Sequence, residues 1–168
     1  MHVSRRAFGP QGIVIAVGFV VLACLSAGAT LARAEGDPGQ GFGLGIMIGE
    51  PTGVNFKAWT SARNAFVGGA AWSFSHNGSV ALHLDYLFHK FEWIEVEEGR
   101  LPVYFGVGGR IKLADEGDDL IGARFPIGLN YLMADAPLDF FLEVVPILDL
   151  TPDTDFELNA AIGGRFWF

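Results

Sequence analysis

Histidine and carboxylate side chains alternate with apolar ones in residues 80–89, VALHLDYLFH: His83, Asp85 and His89 at odd positions, Val80, Leu82, Leu84, Tyr86 and Phe88 at even ones. In an extended chain residues two apart share a face, their Cα atoms roughly 6.5 to 7 Å apart. His83 and Asp85 could therefore hold a metal with a third ligand from a neighbouring strand, whereas His89 is too far along to join them. The competing reading, adopted here, is a hydrogen-bonded network of inward-facing polar groups. Other chemistry-bearing motifs are weaker. GFGLG and GVGG resemble nucleotide-binding glycine loops, but no helical period follows either. The acids of 115–119, with Asp153 and Asp155, lack EF-hand spacing and read as a solvated rim able to share divalent ions with lipopolysaccharide phosphates. Ser73, Ser75 and His76 suggest a lipid hydrolase or acyltransferase, yet Ser75 and His76 are adjacent and leave a strand on opposite faces. No catalytic residue, cofactor or metal is expected.

The elements that must position these groups are eight alternating stretches: 41–49, 54–60, 65–75, 80–89, 101–113, 120–132, 138–150 and 156–168. Turn-forming clusters such as EPTG, SARN, HNGS, MADAP and TPDTD separate them. One face of every stretch is free of charge, as in Ile46, Leu84, Phe105, Ile127, Leu142 and Leu158. The other carries Lys57, His83, Asp85, Arg110, Lys112, Arg124, Glu143, Asp149, Glu157 and Arg165, interleaved with glycines. Glycine weakens a strand, and a water-facing surface has no reason to prefer it. A cramped interior has one, because beside each Arg or Trp some neighbour must be small.

The pattern therefore predicts an all-β, eight-stranded antiparallel up-and-down transmembrane β-barrel, apolar outside and polar inside. Eight strands leave a lumen that side chains largely fill. The ten charged residues above form the expected lumen network, with Arg124 pairing to Glu143 or Glu157 and the pore closed. An even strand count puts both barrel ends of the chain on one side, the periplasmic one for this class. Phe42, Phe66, Phe88, Tyr131, Phe140, Phe166 and Phe168 are expected at that rim, and Trp72, Phe74 and Phe156 at the other. Pro126 and Pro146 each remove a ladder donor inside a stretch, and a bulge at each would reconcile them. The different-class alternatives are a narrow pore, a membrane-embedded lipid-modifying enzyme, and a soluble lipocalin-like ligand-binding barrel. The last would turn the glycine-rich polar face to water.

Residues 1–34 read as a signal peptide: Arg5 and Arg6 precede an apolar run that ends in ARA. Residues 35–40 form a polar leader, and 41–168 the barrel. SRRAF also resembles the start of a twin-arginine signal, and LAC, ending in Cys24, is a poor lipoprotein box. Cys24 is the only cysteine, so the mature chain would have no disulfide. Three of the eleven Lys and Arg lie before Glu35, leaving eight against nineteen acids, a mature charge of −11. Such a chain has no electrostatic attraction for nucleic acid.

The final GGRFWF, with Phe166 and Phe168 at alternate positions, resembles the C-terminal signal that the outer-membrane barrel assembly machinery recognises, although Gly164 breaks the apolar series. As a whole, 41–168 looks like the barrels of the OmpA and OmpX type. GLGIMIGEPTG, GRLPVYFGVGGRI, PIGLNYL and DAPLDFFLEVVPILDLTP resemble a family of small outer-membrane barrels first described in spirochaetes. The resemblance implies a Gram-negative outer-membrane location among lipids and a monomer, and carries no catalytic or binding residue. Short outer loops depart from many OmpA-like barrels, and the longest connection falls on the periplasmic side.

Overall fold

The computed structural model describes residues 40–50, 52–73, 79–114 and 119–168. The segment read as a signal peptide, the leader up to residue 39, Phe74, Ser75, His76 and the acids of 115–118 lie outside the described residues. The strands are β1 (Phe42–Gly49), β2 (Gly53–Trp59), β3 (Asn64–Ser73), β4 (Ser79–Lys90), β5 (Val103–Ala114), β6 (Leu120–Arg124), β7 (Ile127–Leu132), β8 (Leu138–Thr151) and β9 (Asp155–Trp167). Each pairs antiparallel with its neighbours, and β1 closes the ring on β9, Leu44 opposite Phe166. Closure leaves no sheet edge. No helix occurs among the described residues.

β6 and β7 are two halves of one crossing, interrupted at Phe125 and Pro126. The break is not a bulge. On β5, Gly108 faces Arg124 and Phe105 faces Ile127; on β8, Ile147 faces Arg124 and Val144 faces Ile127, so the residue count matches on both sides. Pro146 likewise keeps register opposite Leu158. Neither proline therefore marks a bulge, the device that could have reconciled them with the ladder. The register shift instead lies between Ile121 and Gly122, which face Thr151 and Asp149 and leave Leu150 as the extra residue. At the prolines the ladder loses donors without losing register. Gly106 N–H donates to Pro126 O at 2.8 Å and Phe125 N–H to Pro146 O at 3.0 Å. In such a pair each residue normally also receives a bond, but proline has no N–H to return.

Parity assigns the faces as the alternation requires. Ile46, Leu84 and Leu158 project outward, 60, 52 and 59% exposed, while Lys57, Asp85, Arg124 and Asp139 are buried inside. A protein folded around an apolar core in water would reverse these. Aromatics gather outside at the end where Phe42 and Trp167 lie, here the near end. Phe66 packs on Tyr86 at 4.9 Å, Phe88 on Phe105 at 5.8 Å and Phe166 on Phe168 at 5.1 Å. Phe42 is buried, stacked on Phe56 at 5.9 Å. The interior is less polar than the sequence face suggested, since Met47, Val67, Leu87, Phe141, Val145 and Ile147 also point into it.

Candidate functional site

The lumen is built in three tiers. At the near end Lys57 Nζ donates to Asn130 Oδ1 at 2.5 Å and lies 2.8 Å from His89 Nε2. His89 Nδ1 is 3.1 Å from Arg63 O, so the tautomer with hydrogen on Nδ1 satisfies both contacts. The ammonium also sits 4.3 Å from the ring centroid of Trp59 and 5.9 Å from that of Tyr104. Beside it Arg165 Nε donates to Asp139 Oδ1 at 2.9 Å, its guanidinium 4.4 Å from the Phe141 ring. In the middle tier Arg124 Nε donates to both oxygens of Asp85 at 3.1 Å, and Tyr104 OH donates to Glu143 Oε2 at 2.9 Å. Arg124 Nη2 stands 3.9 Å from Glu143 Oε1, too far for a hydrogen bond, and has no other partner within the described residues. In the far tier Arg110 Nε and Nη2 donate to Asp149 at 3.1 and 2.5 Å, and Nη2 also donates to Glu157.

One rule of register generates three of these pairs, while Arg165 and Asp139 simply face each other on β9 and β8. Asp85 faces Gly108, and Gly108 faces Arg124 on the next strand. Arg110 faces Gly122, which faces Asp149; Tyr104 faces Gly128, which faces Glu143. In each case the partners sit on the two strands flanking a glycine and meet over its bare Cα. A Cβ on Gly128 would lie 2.6 Å from Tyr104 Cζ. The same geometry joins Met47 to Phe141 across Gly163.

Every sequence-expected lumen residue lies on the inner face. Lys57, His83, Asp85, Arg110, Arg124, Glu143, Asp149 and Arg165 are buried, while Lys112 and Glu157 are half-buried towards the far end. Their pairing differs from expectation. Arg124 keeps the expected Glu143 within ion-pair distance at 3.9 Å, but its hydrogen bonds go to Asp85, to which Gly108 opens the way, and Glu157 is held by Arg110 instead. His83 and Asp85 do not converge on a metal: the carboxylate is engaged by Arg124, and His83 lies over Gly69. Among the described residues no group of three His, Cys, Asp or Glu could hold a metal. Tyr104, Asn130, Asp139 and the lysine contact of His89 were not among the expected network residues, although inward parity places each of them on the same face.

The buried lumen is balanced, with Lys57, Arg110, Arg124 and Arg165 against Asp85, Asp139, Glu143 and Asp149. Mutual compensation makes buried charge tolerable.

No protein-family model matches the chain, and no curated protein does. Among solved structures it is similar to the N-terminal β-barrel domain of OprF from Pseudomonas aeruginosa, with 14% identity and a TM-score of 0.58. The match covers 76% of this chain and 95% of that domain. At this identity the likeness shows the fold alone, an antiparallel β-barrel.

Proposed function

We propose that the chain is an integral outer-membrane β-barrel protein with a structural or surface-interaction role and a lumen closed to ions. The observation that carries this is the inverted surface: large aliphatic side chains cover the outside of a closed ring while eight charged side chains are buried within it. Lipid solvates such an exterior, and the closed ladder satisfies most backbone groups without water. The fold shared with the OprF domain supports the membrane reading. On the motifs quoted above, the chain groups with the small outer-membrane barrels first described in spirochaetes. Residues 1–34 would direct export, Phe166 and Phe168 would present the assembly signal, and lipids and the assembly machinery would be its partners. It would act as a monomer, without cofactor, catalysis or nucleic acid.

The narrow-pore reading is tested by conductance. Reconstituted in planar bilayers, the protein should pass little current, because Arg110, Arg124 and Arg165 with their carboxylates span the lumen. Large, steady single-channel currents would overturn the closed-lumen proposal.

A further inference from the structure

The connection 91–102, between β4 and β5 at the near end, is longer than any other between the described strands. Its first residue lies on the lumen mouth. Phe91 packs against Trp59 and His89, with ring centroids 6.2 and 6.3 Å away, and Trp59 lies in turn 4.4 Å from His89 and 6.4 Å from Trp167. Beneath these rings the Lys57 ammonium sits 4.3 Å from the Trp59 centroid, and the whole lysine is buried.

The mouth is dry. Nε1 of Trp59 and of Trp167 are both buried and have no hydrogen-bond partner among the described residues, whereas at an open mouth each indole N–H would donate to water. The far mouth differs, since Lys112 and Glu157 are half-exposed there. Phe91 is held in place by contacts outside the strand ladder. Glu92 pairs with Arg63 at 2.5 Å, both side chains more than half exposed; the Arg100 guanidinium lies 5.4 Å from the Phe91 ring; and Tyr131 OH donates to Glu98 O at 3.3 Å. An exposed ion pair adds little, so the segment is bound less tightly than the strands on either side. After Gly99 turns the chain with φ 72°, the ladder resumes, Arg100 and Leu132 exchanging backbone hydrogen bonds of 2.9 and 2.8 Å.

We propose that residues 91–98 form a lid on the near mouth: anchored at Lys90, where β4 ends, and at Gly99, the segment lifts Phe91 off Trp59 and His89 and admits water to Lys57. The inference rests on the closed-lumen reading and adds to it the place where the lumen opens. Lifting the lid costs the ring contacts of Phe91 and the Arg63–Glu92 pair, but it hydrates two indole N–H groups that lack an acceptor. Glu95, Glu97 and Glu98 are exposed with the lid closed, so the motion strips no carboxylate of cover. Such a balance favours local opening at a free energy below that of global unfolding.

The lysines supply the test, because the chain has only Lys57, Lys90 and Lys112: one under the lid, one at its root and one at the far mouth. The protein in phosphatidylcholine nanodiscs, both faces open to water, is treated with sulfosuccinimidyl acetate, and acetylation at each lysine is followed by mass spectrometry. In the unmodified protein Lys57 should react at least about tenfold more slowly than Lys90. Phe91→Ala should raise the Lys57 rate about tenfold or more and leave that of Lys112 unchanged. Glu92→Gln, or added salt, should raise it a few-fold by weakening the surface pair. Folding of each variant is checked by its heat-modifiable gel migration; where Phe91→Ala does not fold, Glu92→Gln and salt decide. An unchanged Lys57 rate in the folded variants, or one that rises only together with Lys112, would overturn the lid and leave the closed lumen standing. A Lys57 as reactive as Lys90 in the unmodified protein would overturn both.

Discussion

Asp149 and Gly122 show how a single absent Cβ decides a charge pair. A Cβ on Gly122 would collide with Asp149 Oδ1, while its next contact, Leu148 O, is 3.2 Å away, so the obstruction falls mainly on the carboxylate that Arg110 binds. In an ordinary strand, glycine to alanine gains roughly 0.5–1 kcal/mol. Here the sign should reverse. Gly122→Ala is expected to lower stability by about 1–3 kcal/mol, since overpacking displaces a partner of a buried guanidinium. The effect should be coupled to Asp149: in an Asp149→Ala background most of the loss should disappear, a non-additivity of about 1 kcal/mol or more. Urea unfolding of the four proteins in lipid vesicles measures it, and strict additivity would show that the glycine serves the backbone alone.

The strand crossings were largely legible in the sequence, because alternation is local: the parity of Leu84 against Asp85 already states which side chain faces outward and which inward. Pairing was not. Which acid meets Arg124 depends on the register of two neighbouring strands and on Gly108 lying between, and no single stretch contains that information. The prolines show the same limit. The sequence marks Pro126 and Pro146 as breaks, yet only the ladder shows that they adjoin, with Phe125 donating to Pro146 and Gly106 donating to Pro126. Two missing donors on neighbouring strands should make the junction of β6, β7 and β8 the loosest part of the wall. In hydrogen–deuterium exchange of the reconstituted protein, Gly106, Arg124 and Phe125 should exchange faster than residues at matching depth in β3 and β4. Pro126→Val, which restores one N–H, should slow them. Equal protection around the ring would mean that the wall tolerates both prolines without loosening.

At the scale of the molecule, charge and hydropathy are each sorted by the closed ring. Among the described residues the lumen holds four buried cations and four buried acids. The apolar residues that would form a core elsewhere line the exterior, and this inversion is the central claim. It is tested most directly along β8, with a nitroxide placed singly at positions 140, 142, 144, 148 and 150 in a Cys24→Ala background, the protein reconstituted in lipid vesicles. Phe140, Leu142, Val144, Leu148 and Leu150 all project outward, so the labels leave the lumen undisturbed. The account predicts high accessibility to oxygen and low accessibility to a water-soluble nickel chelate, with the greatest apparent depth near Val144 and shallower values towards Phe140 and Leu150. Ready collision of the chelate with the label at Val144 would contradict it, because that face would then lie in water.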